Sequence, residues 1–243
     1  MGQYKTEAIL LAVRDFGDAD RMVTLFSREF GKLTAVAYGA RRPKSSLSGS
    51  VQPFIHADLS LASGKNLDSI RQCDIRQAHR EVREALVPMA YANFLSELVV
   101  ELWPEREAEP AVLELLLAAY RTLAVRNPRI TALAAAWQLL ALAGFRPQQG
   151  QCAACGAPVE YPACFDPRSG GAMCRTCAGS DCLEYTEEIK TFLERLLDLA
   201  WENPGQFSVS GAVLLQTEGL LRAFLAWHLD RPLKSLAFIS AVT

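Results

Sequence analysis

Two C-x-x-C pairs, Cys152/Cys155 and Cys174/Cys177, lie eighteen residues apart in this chain. They constrain the fold more than any other feature. They sit in residues 146–184, a stretch without apolar periodicity that holds six of the seven cysteines. So short a segment cannot bury a core of its own. Each pair forms a tight knuckle, and two knuckles at this spacing aim four sulfurs at one point, the pattern of a four-thiolate zinc site. One Zn²⁺ per chain then takes the place of a hydrophobic core. Four thiolates leave no open coordination position and no His or Glu lies beside the knuckles, so the metal is expected to be structural. Disulfides are the alternative use of such pairs, and they suit an oxidising compartment. Cys164 and Cys182 are left outside the ligand set and expected to be buried. Cys73 falls on an expected strand and reads as core.

The period of the sequence differs on the two sides of this segment. Residues 1–79 carry five short apolar or alternating runs, "TEAILLAV", "RMVTLFS", "KLTAVAYGA", "FIHADLSLA" and "LDSIRQCDIRQ", broken by Gly, Asp and Asn turns. That is the pattern of a small antiparallel barrel or sandwich. Residues 80–145 read as three helices. The first is bent by Pro88, and the third is punctuated by Asn127, Pro128 and Gly144. Helices resume over 185–243, where Thr186 is the expected cap of "TEEIKTFLERLLDLAW" and "GAVLLQTEGLLRAFLAWHL" reads as the last. The expected class is α+β: a β-barrel (1–79), a helical domain in two parts (80–145 and 185–243) and a zinc module (146–184) between them.

Net charge is −2, but it is unevenly spread. Residues 1–80 hold 12 Lys/Arg against 8 Asp/Glu, a net of +4. Arg41, Arg42 and Lys44 share the acid-free loop "GARRPKSSLSGSVQPF" (39–54). A local basic face is the usual footprint of a polyanion site. No run approaches the roughly 20 apolar residues of a membrane span, and the N-terminus does not read as a signal peptide, so a cytoplasmic protein is expected. The chain has no P-loop, dinucleotide fingerprint, H-E-x-x-H or G-x-S-x-G. Its three histidines (His56, His79 and His228) are scattered. No enzymatic activity is expected.

The stretch "DFGDADRMVTLFSREFGKLTAVAYGARRPKSSLSGSVQPF" and the later "LLALAGFRPQQGQCAACG" resemble the bacterial RecO family of DNA repair proteins, and the resemblance covers essentially the whole chain. It implies an oligonucleotide/oligosaccharide-binding (OB) fold, a helical domain and a zinc module. It also implies a recombination mediator, nucleoid-associated, that binds single- and double-stranded DNA and anneals complementary strands. With RecR, and in many bacteria RecF, such a protein loads RecA on DNA coated with single-strand-binding protein (SSB). OB barrels bind strands through a positive groove and stacking aromatics. On that reading Arg41, Arg42 and Lys44, with Arg14, Arg21, Lys32, Lys65 and Arg71, contact phosphates, and Tyr38 and Phe54 stack on bases. The Gly/Ser-rich segment between the third and fourth strands leaves the usual OB helix short or absent. The family's SSB-tail site implies cations beside an apolar pocket, for which Arg121, Arg129 and Trp137 are the candidates. The competing reading is a zinc-ribbon nucleic-acid-binding factor of transcription or RNA metabolism. A zinc enzyme is disfavoured by the thiolate count.

Overall fold

The computed structural model describes residues 2–205 and 208–242. Five strands come first: β1 (Gln3–Phe16), β2 (Asp20–Ser27), β3 (Gly31–Ala37), β4 (His56–Ala62) and β5 (Asp68–Gln77). They close into a barrel in the order β1-β2-β3-β5-β4. All pairings are antiparallel except β3 with β5. Closure depends on β1 serving two neighbours. Its first half pairs with β4 from Gln3 to Ile9, its second half pairs with β2 from Ala8 to Phe16, and a bulge between Leu10 and Ala12 bends it from one to the other. Alternate residues point inward, so Ala8, Leu10, Val23, Leu25, Leu33, Ala35, Leu59 and Ile70 share one buried cluster, with Cys73 packed against it. Residues 38–55 contain turns and no helix.

Two short helices replace the expected bent one: α1 (Arg80–Glu84) and α2 (Leu86–Leu102), separated by extended Ala85. Pro88 explains the break. In a continuous helix its ring would meet the carbonyl of Glu84, whereas in the first turn of a new helix it is tolerated. Helix α3 (Pro110–Leu123) begins with Pro110 at its first position and the Glu109 side chain as cap. Helix α4 (Pro128–Leu142) ends at Gly144, which adopts φ 88°, and the next N–H, of Phe145, returns to the Leu140 carbonyl at 2.8 Å. The segment after it forms a three-stranded sheet of β6 (Ala163–Asp166), β7 (Gly171–Met173) and β8 (Leu183–Tyr185), with β6 central. Then follow α5 (Glu187–Leu197), capped by the Thr186 hydroxyl as expected, and α6 (Gly211–His228), capped by Ser210.

A further helix, α7 (Lys234–Val242), comes after the one expected to be last. Its cap is not local. The Glu97 carboxylate of α2 accepts from the backbone N–H groups of Lys234 and Ser235 at 2.9 and 2.8 Å. The chain forms two compact units, residues 1–128 with 233–243, and residues 129–232. Contact therefore groups α1–α3 and α7 with the barrel, whereas sequence period grouped them with the later helices.

Candidate nucleic-acid interface and metal centre

The basic loop leaves the barrel at the end of β3. Its root is moored to the turn between β1 and β2. The Arg41 N–H donates to the Ala19 carbonyl at 2.9 Å, and the Gly39 N–H donates to the Asp20 carboxylate at 2.7 Å. The Arg41 guanidinium lies 3.4 Å from Asp15 and reaches the carbonyls of Gly17 and Asp18 at 3.5 and 3.4 Å. The side chains of Arg42 and Lys44 are exposed and bond to nothing among the described residues. Tyr38 is 58% exposed at the loop's start, and its phenol is likewise unpartnered.

The other expected DNA contacts divide the same way. The side chains of Arg71 and Lys65, the latter in the loop joining β4 and β5, are exposed and unpartnered among the described residues. Arg14 is exposed on the outer face of β1 and donates to the Met22 sulfur at 2.8 Å. Arg21 is half-buried, donates to the Val51 carbonyl at 2.8 Å and lies 3.9 Å from Asp15. The Lys32 ammonium donates to the Val100 carbonyl near the end of α2, at 2.6 Å.

Phe54 is a correction. It is 2% exposed, packed edge-to-face on buried Tyr120 at 5.4 Å, and its ring presents no face to a base. Its backbone explains why: Phe54 N–H donates to the Leu10 carbonyl at the β1 bulge, at 2.7 Å, with φ 66°. Its own carbonyl accepts from Nδ1 of His79 at 2.7 Å, and His79 also sits in the left-handed region, at φ 43°. His79 is buried and its Nε2 has no partner among the described residues. Burial pushes its pKa down, outweighing the bond to Phe54. Arg83, one turn along α1, donates to the Gln52 side chain. The loop's far end is thus clamped by α1.

Phe16, which the sequence reading passed over, is 41% exposed at the end of β1. It pairs with Asp20, the residue that binds Gly39 beside Tyr38. The available signal was an aromatic at the outward phase of β1, two residues beyond Arg14.

The metal-ligand candidates come together. The sulfurs of Cys152, Cys155, Cys174 and Cys177 all lie within 4.8 Å of one another. Cys155 and Cys174 are 3.8 Å apart, which is about the separation that tetrahedral Zn–S bonds of roughly 2.3 Å require. The local turns do the aiming. The Gly156 N–H closes on the Cys152 carbonyl at 2.9 Å with Gly156 at φ 73°, and the N–H groups of Cys177 and Ala178 close on the Cys174 carbonyl at 3.0 and 2.9 Å. Backbone N–H groups of Cys174 and Cys155 point at the Cys152 sulfur and bring its pKa down to about 6. Cys177 is pushed up to about 12 because it shares its proton with neighbouring sulfurs of Cys174 and Cys155. Four converging thiolates repel one another, and a divalent cation removes that conflict, so these residues fit a metal ion. Cys164 and Cys182 are half-buried and joined to each other by a disulfide, with Cα atoms 5.5 Å apart. Keeping them out of the ligand set agrees with this pairing.

Of the candidates for an SSB-tail site, Arg121 is an exposed cation near the end of α3. Trp137 is a correction: it is fully buried within α4 and packs on Phe224 at 5.3 Å, so it walls no surface pocket. Arg129 is paired with the Glu218 carboxylate. No helix of the described residues is long and apolar enough to cross a membrane.

Comparison with known proteins gives a consistent match. The family profile described as "Recombination protein O N terminal" matches residues 1–79, and "Recombination protein O C terminal" matches residues 83–237. The chain is 34% identical to DNA repair protein RecO of Pelotomaculum thermopropionicum over 241 residues, covering 98% of this chain and 94% of that one. It is 34% identical to DNA repair protein RecO of Symbiobacterium thermophilum (100% and 98% covered) and 37% identical to that of a Roseiflexus species (98% and 86%).

Proposed function

Because this chain belongs to the recombination protein O (RecO) family of DNA repair and recombination proteins, we propose that it is a non-enzymatic mediator that binds DNA through its barrel. It takes both single- and double-stranded DNA and anneals complementary strands. With RecR, and with RecF where RecF is used, it helps load RecA on SSB-coated DNA, in the cytoplasm and on the nucleoid. The SSB C-terminal tail docks on the helical part of the chain, where Arg121 offers a free cation. One structural Zn²⁺ occupies the four-cysteine site. When bound it supplies cross-linking of the two knuckles, and Cys152, Cys155, Cys174 and Cys177 hold it.

The observation that carries the DNA reading is the loop after β3. It presents Arg42 and Lys44, both exposed and unpartnered, next to a solvent-facing Tyr38. Cations of this kind have lost no partner when a phosphate arrives, and an exposed ring is free to stack on a base. The test is an Arg41→Ala, Arg42→Ala, Lys44→Ala triple variant. Each lost phosphate contact on a single strand reduces the log–log salt slope by roughly 0.7, so three contacts predict a change of about 2. Affinity should fall for all sequences alike, and annealing of complementary oligonucleotides should slow in parallel. A triple variant with the wild-type slope and annealing rate would place the binding face elsewhere.

A further inference from the structure

One carboxylate already occupies the place of an anion between two of the loop-side cations. Asp15 Oδ2 lies 3.4 Å from Nε of Arg41, and its Oδ1 lies 3.9 Å from Nε of Arg21. We propose that Asp15 is an electrostatic gate on the nucleic-acid interface: it holds the Arg21–Arg41 pair closed to isolated phosphates and yields to the phosphates of a single-stranded DNA backbone. This rests on the proposed binding role of the loop and specifies how part of that site discriminates.

The pairing is poorly placed to serve stability. The Asp15 side chain is 62% exposed and that of Arg41 39%, and ion pairs this exposed contribute little to folding. Arg41 is also held by three backbone carbonyl contacts of the same turn: its main-chain N–H to Ala19, and its guanidinium to Gly17 and Asp18. The loop root therefore stays moored whether or not Asp15 is charged, and the carboxylate is left with an electrostatic role. Arg42 and Lys44 follow Arg41 directly along the chain and have no such partner. A strand gripped by these two brings its next phosphate to Arg41 at high effective concentration, whereas a free phosphate must compete with Asp15 unaided. The carboxylate thus sets a threshold that multivalent anions cross and monovalent ones do not.

The experiment is a comparison of Asp15→Asn with Asp18→Asn. Both remove one negative charge from the β1–β2 hairpin, but the Asp18 carboxylate touches no cation among the described residues. Binding of a fluorescent oligothymidylate is followed by anisotropy across a salt series. A strand already displaces Asp15 from Arg41 in the wild type, so Asp15→Asn should leave the slope unchanged and, by removing the competing carboxylate of an exposed pair, tighten binding about 1.5- to 5-fold at low salt. Asp18→Asn should give well under half of that, and Asp15→Asn in an Arg41→Ala background should give no gain. Melting temperature should stay at the wild-type value in both single variants, which separates gating from altered folding. Equal gains from Asp15→Asn and Asp18→Asn would reduce the effect to overall charge and overturn the gate. So would an Asp15→Asn variant with no gain, while the triple loop variant still loses slope; in that outcome the DNA-binding reading survives. If the triple variant keeps the wild-type slope, the reading of the loop fails and the gate fails with it.

Discussion

Replacing Tyr38 and Phe54 by alanine, one at a time, separates two aromatics that the sequence places symmetrically about the basic loop. Tyr38 is 58% exposed and Phe54 2%. Stacking of one base on an aromatic side chain is worth about 1–3 kcal/mol, so Tyr38→Ala should weaken single-strand binding by about 5- to 150-fold. Its salt slope should not change, because the phenol contacts no phosphate charge, and its melting temperature should be that of the wild type. Phe54 is a core residue whose ring rests on Tyr120 at 5.4 Å. Truncating such a side chain costs about 3–5 kcal/mol. At about 2–4 °C per kcal/mol for a chain of this size, the midpoint should fall by roughly 6–20 °C. Anisotropy titrations at 20 °C, where the folded fraction is controlled by circular dichroism, give the binding side. Thermal melts give the stability side. The reasoning is refuted if Phe54→Ala melts like the wild type yet binds DNA more weakly, since that ring would then have to lie outside. Tyr38→Ala with unaltered affinity would remove the stacking role proposed for Tyr38.

Two further outcomes are expected. Purified, reduced protein should carry about one Zn²⁺ per chain by metal analysis, and Cys152→Ser or Cys174→Ser should release it and unfold the knuckle segment while leaving most DNA binding in place, because structural zinc is coupled to local folding and the loop cations lie in another compact unit. His79, whose pKa is held below its ordinary 6.5 chiefly by burial, contributes stability that is complete above about pH 6.5 and is lost as pH falls toward the folded-state value, because the unfolded chain then binds more protons. Melting curves from pH 8 to 5 should therefore drop more steeply for the wild type than for His79→Gln, and parallel curves would show that the imidazole does not titrate on unfolding.

The barrel strands were legible because alternation over a few residues is a local signal, and four of the five runs, at β1, β2, β3 and β4, sit at inward-outward phases that the buried cluster reproduces. Closure was not legible. It needs the parallel β3–β5 contact and a bulge at Leu10/Ala12 that sends β1 to two neighbours, and both are set by partners far along the chain. The same limit explains the helices. Pro88 marks a disturbance in the sequence, but whether a helix bends or restarts depends on the extended Ala85 that tertiary packing supports. Helix α7 has only nine residues and takes its N-terminal partner from Glu97, more than 130 positions earlier, so nothing near it announces a start.

The four-cysteine cluster was readable for the opposite reason. Its four ligands are brought together by two turns of four residues and one short sheet, so spacing alone carries most of the geometry. The proposed DNA interface has no such economy. A sequence gives the number of cations near a loop, but a phosphate responds only to those whose charge is not already engaged. Lys32 is bound to a carbonyl of α2, Arg21 to the loop's own Val51, and Arg41 to the acidic turn. Each partner lies between 23 and 68 residues away, and none is implied by local pattern. The side chains of Arg42 and Lys44 remain free among the described residues, and the backbone beside them makes short turn bonds such as Ser45 N–H to the Arg42 carbonyl at 3.0 Å. The side chains of these two cations are thus not engaged, which is the condition under which a flexible polyanion gains the most from meeting them.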